Sequence, residues 1–117
     1  MSGSRQKTSF KTKRRRIDIL GETWKYELTT QERVDRLLGE SSPAFVNFNN
    51  RTAYFSVDDF SRNILIHEIC HIYHRTLCID TTVKISMEDR EEITCEFMAR
   101  NAAAIVRLAN QMYRALT

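Results

Sequence analysis

The residues most able to do chemistry in this chain lie in one run of eight, "HEICHIYH", His67 to His74, which holds all three of its histidines. Within it, His67-Glu68-x-x-His71 is the HExxH pattern. On a helix, positions i and i+4 share a face one turn apart, so both imidazoles can reach a single zinc ion. Glu68 lies about 100° around the helix from His67, close enough to touch a water at that ion without ligating it. There it can act as a general base and then carry the proton to a leaving amine. His74 cannot complete the set, because it is roughly 10 Å along the axis from His67 and zinc–nitrogen bonds are only about 2 Å. The third ligand must come from elsewhere in the chain, and with no histidine left it must be a carboxylate or a cysteine. The competing explanation is a pair of satisfied core or surface histidines with no ion between them.

Carboxylates stand in "MEDREEITCEFMA", where Glu92 and Glu96 are one helical turn apart and can both face the first helix. A structural zinc site of His67, His71, Cys78 and Cys95 is the rival arrangement. It fails on reach, since Cys78 is three turns from His67 on the same helix, and it leaves Glu68 without a task. Cys70 is expected to be a small buried hydrophobe. His74, Arg100 and Tyr113 are candidates for stabilising a developing oxyanion, with His74 otherwise a surface residue.

HExxH followed by a glutamate on a second helix resembles the gluzincin metallopeptidases, and "EITCEFMA" is similar to their E-x-x-x-[DE]-x-x-[small] segment. The resemblance implies that Glu92 is the third zinc ligand and that Glu96 accepts a hydrogen bond from the free nitrogen of a ligating histidine. It also implies that Ala99 lets the two helices approach closely. Glu91 is spaced almost as well, but its neighbour one turn on is Cys95, which ranks it second. Over about residues 17–105 the pattern is similar to the minigluzincins and to ImmA/IrrE-like and SprT-like domains, although only the HExxH and glutamate segments are specific. The second helix lacks the E-A-N signature of ImmA/IrrE proteins, and SprT-like proteins use a histidine as third ligand. The implied function is hydrolysis of a protein or peptide substrate, in a shallow cleft or one closed by the C-terminal helix.

These residues need a scaffold. "RIDILGETWKYELTT" reads as two strands around a tight turn at Gly21, with Trp24 and Tyr26 on the core face. "TTQERVDRLLGE" is a short helix stopped by Gly39. "AFVNFNNRTAYFSV" alternates about Asn49-Asn50 and is expected to form a hairpin, whose edge could pair with an extended substrate. Asp58 and Asp59 are candidate N-caps for a helix from about Phe60 to about Leu77, apolar nearly all round and so expected to run through the core with His67 and His71 inside it. "CIDTTVKI" is a loop or short extended piece. Ser86, three residues before Asp89, begins a long helix to Leu116, with Ile93, Phe97, Ala104, Leu108 and Met112 as its packing stripe. The order β-β-α-β-β-α-α predicts an α+β domain: a small twisted sheet packed on the HExxH helix and on a long glutamate-bearing C-terminal helix.

At 117 residues the chain can bury one modest core. The net charge of +3 is unevenly spread: residues 1–16 carry seven basic residues and no acid, and residues 17–117 carry eleven basic against fifteen acidic. The expected organisation is a disordered basic tail over 1–16 and a zinc metallopeptidase-like domain over 17–117. Such a tail suits phosphate contacts on nucleic acid, or else only solubilises the chain. No apolar run is long enough to span a bilayer and the first residues lack a signal sequence, so no membrane partner is expected. Three cysteines without a framework spacing fit free thiols in a reducing, cytoplasmic, nucleoid-associated or nuclear setting. A nucleic-acid-associated or regulatory binding domain with a structural or vestigial zinc is the alternative function.

Overall fold

Period-two alternation and its breaks set out the sheet, and 3.6-residue periodicity the helices. The computed structural model describes residues 10–77 and 86–117. Its elements are β1 (Lys13–Ile19), β2 (Glu22–Thr29), α1 (Gln31–Leu38), β3 (Ala44–Asn47), β4 (Thr52–Ser56), α2 (Arg62–Thr76) and α3 (Met87–Leu116), in the expected α+β order. The segment "CIDTTVKI" (78–85) and the first nine residues lie outside the described residues. The sheet runs β1-β2-β4-β3, with β2 and β4 parallel and both outer pairs antiparallel.

The turns follow from local chemistry. Leu20 (φ 51°) and Gly21 (φ 81°) both have positive φ, the type I′ geometry that matches strand twist in a two-residue hairpin. Between β3 and β4, the Asn47 side-chain oxygen accepts hydrogen bonds from the backbone N–H groups of Asn49 and Asn50, which closes the expected hairpin. Thr30 caps α1 by accepting from the Arg33 N–H, and Gly39 ends it in the left-handed conformation.

One face of the sheet carries Ile17, Ile19, Trp24, Tyr26, Leu28 and Phe55, packed on Leu65, Ile69 and Ile72 of α2 and on Ile105, Ala109, Met112 and Leu116 of α3. Trp24 and Tyr26 are thus core, as expected. The opposite face is covered at one end by α1, whose Val34 is fully buried and whose Arg33 reaches Glu27 on β2.

Four expectations are corrected. Strand β1 begins at Lys13, so Lys13 to Arg16 of the basic segment pair with β2 instead of belonging to a tail. Backbone pairing asks little of side chains on an edge strand, and long basic side chains keep their charges in water there. The N-cap of α2 is Ser61, whose hydroxyl accepts from the Ile64 N–H, not Asp58 or Asp59, which sit in the turn after β4. Helix α2 does not run through the core: it lies on the sheet, burying Leu65, Glu68, Ile69, Ile72 and Tyr73 and exposing His67 and His71. On α3, Phe97, Ala104, Leu108 and Met112 pack on the core as expected, but Ile93 of that stripe is exposed, as is Ala99, and the fully buried contact is carried by the last third of the helix. At the start of α3, Ser86 caps by accepting from the Asp89 N–H, as expected.

Candidate metal centre

Helix α2 turns one face to the sheet, and the face beside it, carrying Ile64, His67, Glu68 and His71, forms a wall of an open groove of about 660 Å³. The outermost strand β3 supplies the other wall through Ala44, Phe45 and Val46. The one-turn spacing brings His67 Nε2 and His71 Nε2 to 3.2 Å, with the rings nearly perpendicular. Two imidazoles on one tetrahedral zinc ion, at bonds of about 2.05 Å, have nitrogens about 3.3 Å apart. Two nitrogen lone pairs at this distance repel unless a proton or a cation lies between them. The pair therefore fits zinc on both distance and donor type.

Glu68 is buried, with its side chain 9% exposed, and its Oε2 lies 3.9 Å from His67 Nε2. Burial pushes its carboxyl group above the usual carboxylate range, and the nearby His67 opposes that rise. His71 is held below the usual histidine range, first by burial and then by His67, His74 and Arg75. It therefore stays neutral, the form that ligates. Ligand atoms of His67, Glu68 and His71 all lie within 4.8 Å of one another, the one such cluster of metal-ligating groups among the described residues.

Glu92 is not part of that cluster. Helices α2 and α3 are antiparallel, with Arg62 bonded to Asn110 at one end and the His74 ring 6.0 Å from the Phe97 ring at the other. This register sets Asn101 about level with His71 and Ile105 with His67. Glu92 lies nine residues before Asn101, about 13 Å along the axis, and is exposed beyond the end of α2. Glu91 is exposed there too. Glu96 accepts a 2.9 Å hydrogen bond from Arg100 on its own helix instead of facing a histidine. The ten residues from Met87 to Glu96 are exposed throughout, so packing does not draw this part of α3 toward α2. The described residues thus supply two imidazoles and a buried carboxylate, and do not assemble the third ligand.

None of the proposed oxyanion stabilisers lines the groove. Tyr113 stacks on Phe60 at 5.3 Å under the Arg62 guanidinium, Arg100 is bonded to Glu96, and His74 turns toward Phe97. Asn63 does line it, one turn before His67 on the same face, and its amide is a hydrogen-bond donor the motif alone does not mark. Spacing could have found it, since 63, 67 and 71 are successive i+4 positions. Cys70 is half-buried, its thiol pushed up by burial and so unreactive, and Cys95 is exposed; both are free, and Cys78 lies outside the described residues. No helix among the described residues is long and apolar enough to cross a membrane. No family model, curated protein or solved structure matches the chain.

Proposed function

We propose that the chain is a zinc-dependent metallopeptidase, with His67 and His71 holding the ion and Glu68 as general base. The observation that carries this is the 3.2 Å approach of two imidazole nitrogens beside a buried carboxylate, on the wall of an open groove. When bound, zinc supplies a Lewis acid that lowers the pKa of water and polarises a carbonyl. Glu68 takes a proton from the attacking water and delivers it to the departing amine nitrogen. Burial raises its pKa and so strengthens it as a proton acceptor. Neutral His71 keeps its lone pair for the ion. The edge of β3 and the apolar wall of Phe45, Val46 and Ile64 suit an extended peptide laid along the strand. Free Cys70 and Cys95 accord with a reducing, cytoplasmic or nuclear setting.

Glu92 is the carboxylate that the gluzincin resemblance assigns to the third position, with Glu96 behind it. Reaching it takes a displacement of the start of α3 by about two and a half turns toward α2. The test of the function is cleavage of a quenched-fluorescent peptide library by zinc-loaded protein, with Glu68→Gln as the partner variant. Turnover by the wild type and its loss in Glu68→Gln, with zinc retained, supports the assignment. Equal turnover in both rejects it. The exposed position of Glu92 favours a second reading, a binding domain with a structural or vestigial zinc. In that case zinc is bound, no peptide is cut, and Glu68→Gln leaves zinc binding unchanged.

A further inference from the structure

On the side of the sheet away from α2 and α3, beyond the end covered by α1, lies a second groove of about 370 Å³. Four cations line it, Arg14, Arg15 and Arg16 of β1 and Lys25 of β2, with Glu27 the one acid. Glu27 is already engaged: its side chain is 8% exposed and is bracketed by Arg14 at 2.8 Å and Arg33 at 3.3 Å. That bridge fixes the Arg14 guanidinium and leaves the groove with surplus positive charge. The strand register sets Arg16 directly opposite Lys25, a like-charge cross-strand pair that destabilises a sheet unless an anion sits over it. No carboxylate pairs with either residue among the described residues. Arg15, although its register faces inward, curls around the edge strand and donates to the Arg14 carbonyl oxygen, which brings it to the same rim.

We infer that this cationic sheet face binds the sugar–phosphate backbone of single-stranded nucleic acid. Asn50, Thr52 and Tyr54 line the groove with neutral polar groups for phosphate and sugar oxygens. From β1 across β2 to β4 the groove is two strand spacings wide, about 10 Å. That is wide enough to seat one sugar–phosphate backbone, the element a single strand presents. No large exposed apolar side chain lines it, so nothing there inserts into a bilayer. In the sequence, the run of positive charge continues before β1 with Arg5, Lys7 and Lys11.

The test is fluorescence anisotropy with the full chain and a labelled single-stranded oligonucleotide of about twenty nucleotides, between about 50 and 200 mM salt. Arg16→Gln with Lys25→Gln is expected to weaken binding roughly tenfold or more at low salt and to reduce the log–log salt slope by about 1.4, two contacts at about 0.7 each. Because the substitution relieves a like-charge pair, the melting temperature should hold or rise, which separates lost contacts from lost folding. The inference is overturned if the slope is unchanged in this variant and falls only in Arg5→Gln with Lys7→Gln. It is equally overturned if a duplex binds more tightly than the single strand, or if the sheet variant loses binding to phosphatidylserine vesicles but not to the oligonucleotide.

Discussion

Replacing Glu68 by glutamine should make the metal-free protein more stable at neutral pH. Glu68 is 7% exposed and the His67 ring, a charge only when protonated, is 3.9 Å away, so its ionised form is taken out of water with little in return. Its folded pKa is accordingly raised above the unfolded value, burial being the larger cause. The folded state then holds a proton that the unfolded chain gives up earlier. Stability from this group is fully present below the ordinary carboxylate pKa and is lost as pH rises through the folded value. Glutamine keeps the shape and removes the charge, so the gain belongs to neutral pH and vanishes in acid. A buried polar group without a partner costs about 1–3 kcal/mol, and more when it is charged, and a domain of this size gains roughly 5 °C of melting temperature per kcal/mol. Thermal unfolding followed by circular dichroism, in chelator, at pH 7 and near pH 4, measures the difference between the two proteins. A glutamine variant that melts no higher than wild type at pH 7, or gains as much in acid, refutes the assignment of Glu68 as an uncompensated buried carboxylate.

Three further outcomes follow from the packing. Ser61→Ala should cost about 1 kcal/mol through loss of the α2 cap, while Asp59→Ala should stay within about 0.5 kcal/mol, both read by chemical denaturation. Leu20→Asn should stabilise the β1–β2 turn by about 0.5–1 kcal/mol, since asparagine tolerates the left-handed φ of 51° better than leucine does and asparagine–glycine is the favoured type I′ pair. Phe55→Ala should cost about 3–5 kcal/mol, because the ring is fully buried where the sheet meets α2, and its midpoint in denaturant reports the loss.

The sequence carried the order of elements because each announces itself locally: Gly21 and Gly39 by positive φ, Asn47 to Asn50 by side-chain turn chemistry, Ser86 by its cap. His67 and His71 meet for the same reason, since their approach is fixed by one turn of one helix. The start of β1 was hidden because lysine and arginine do not look like strand residues, and only the pairing needs of Tyr26 and Leu28 on β2 reveal it. The exposure of His67 and His71 was missed because an apolar composition fixes how much of α2 is buried but not which side; Glu68 took the buried place expected of the histidines. Glu92 depended on the register of two helices joined through residues 78–85, a long-range quantity that the one-turn spacing of Glu92 and Glu96 does not set. The groove face shared by Asn63 and His67 needed β3 as its opposite wall, and strand order is likewise not a local property.

Metal content tests the central claim most directly: elemental analysis of purified wild type, Glu68→Gln, His71→Ala and Glu92→Ala after refolding with zinc. The account predicts one zinc per chain in wild type and in Glu68→Gln, and its loss in His71→Ala. Loss in Glu92→Ala as well gives the third position to that residue and requires the start of α3 to move onto α2; retention leaves the ion on the two histidines. A wild type that takes up no zinc, or a His71→Ala variant that keeps it, contradicts the metal centre and with it the peptidase.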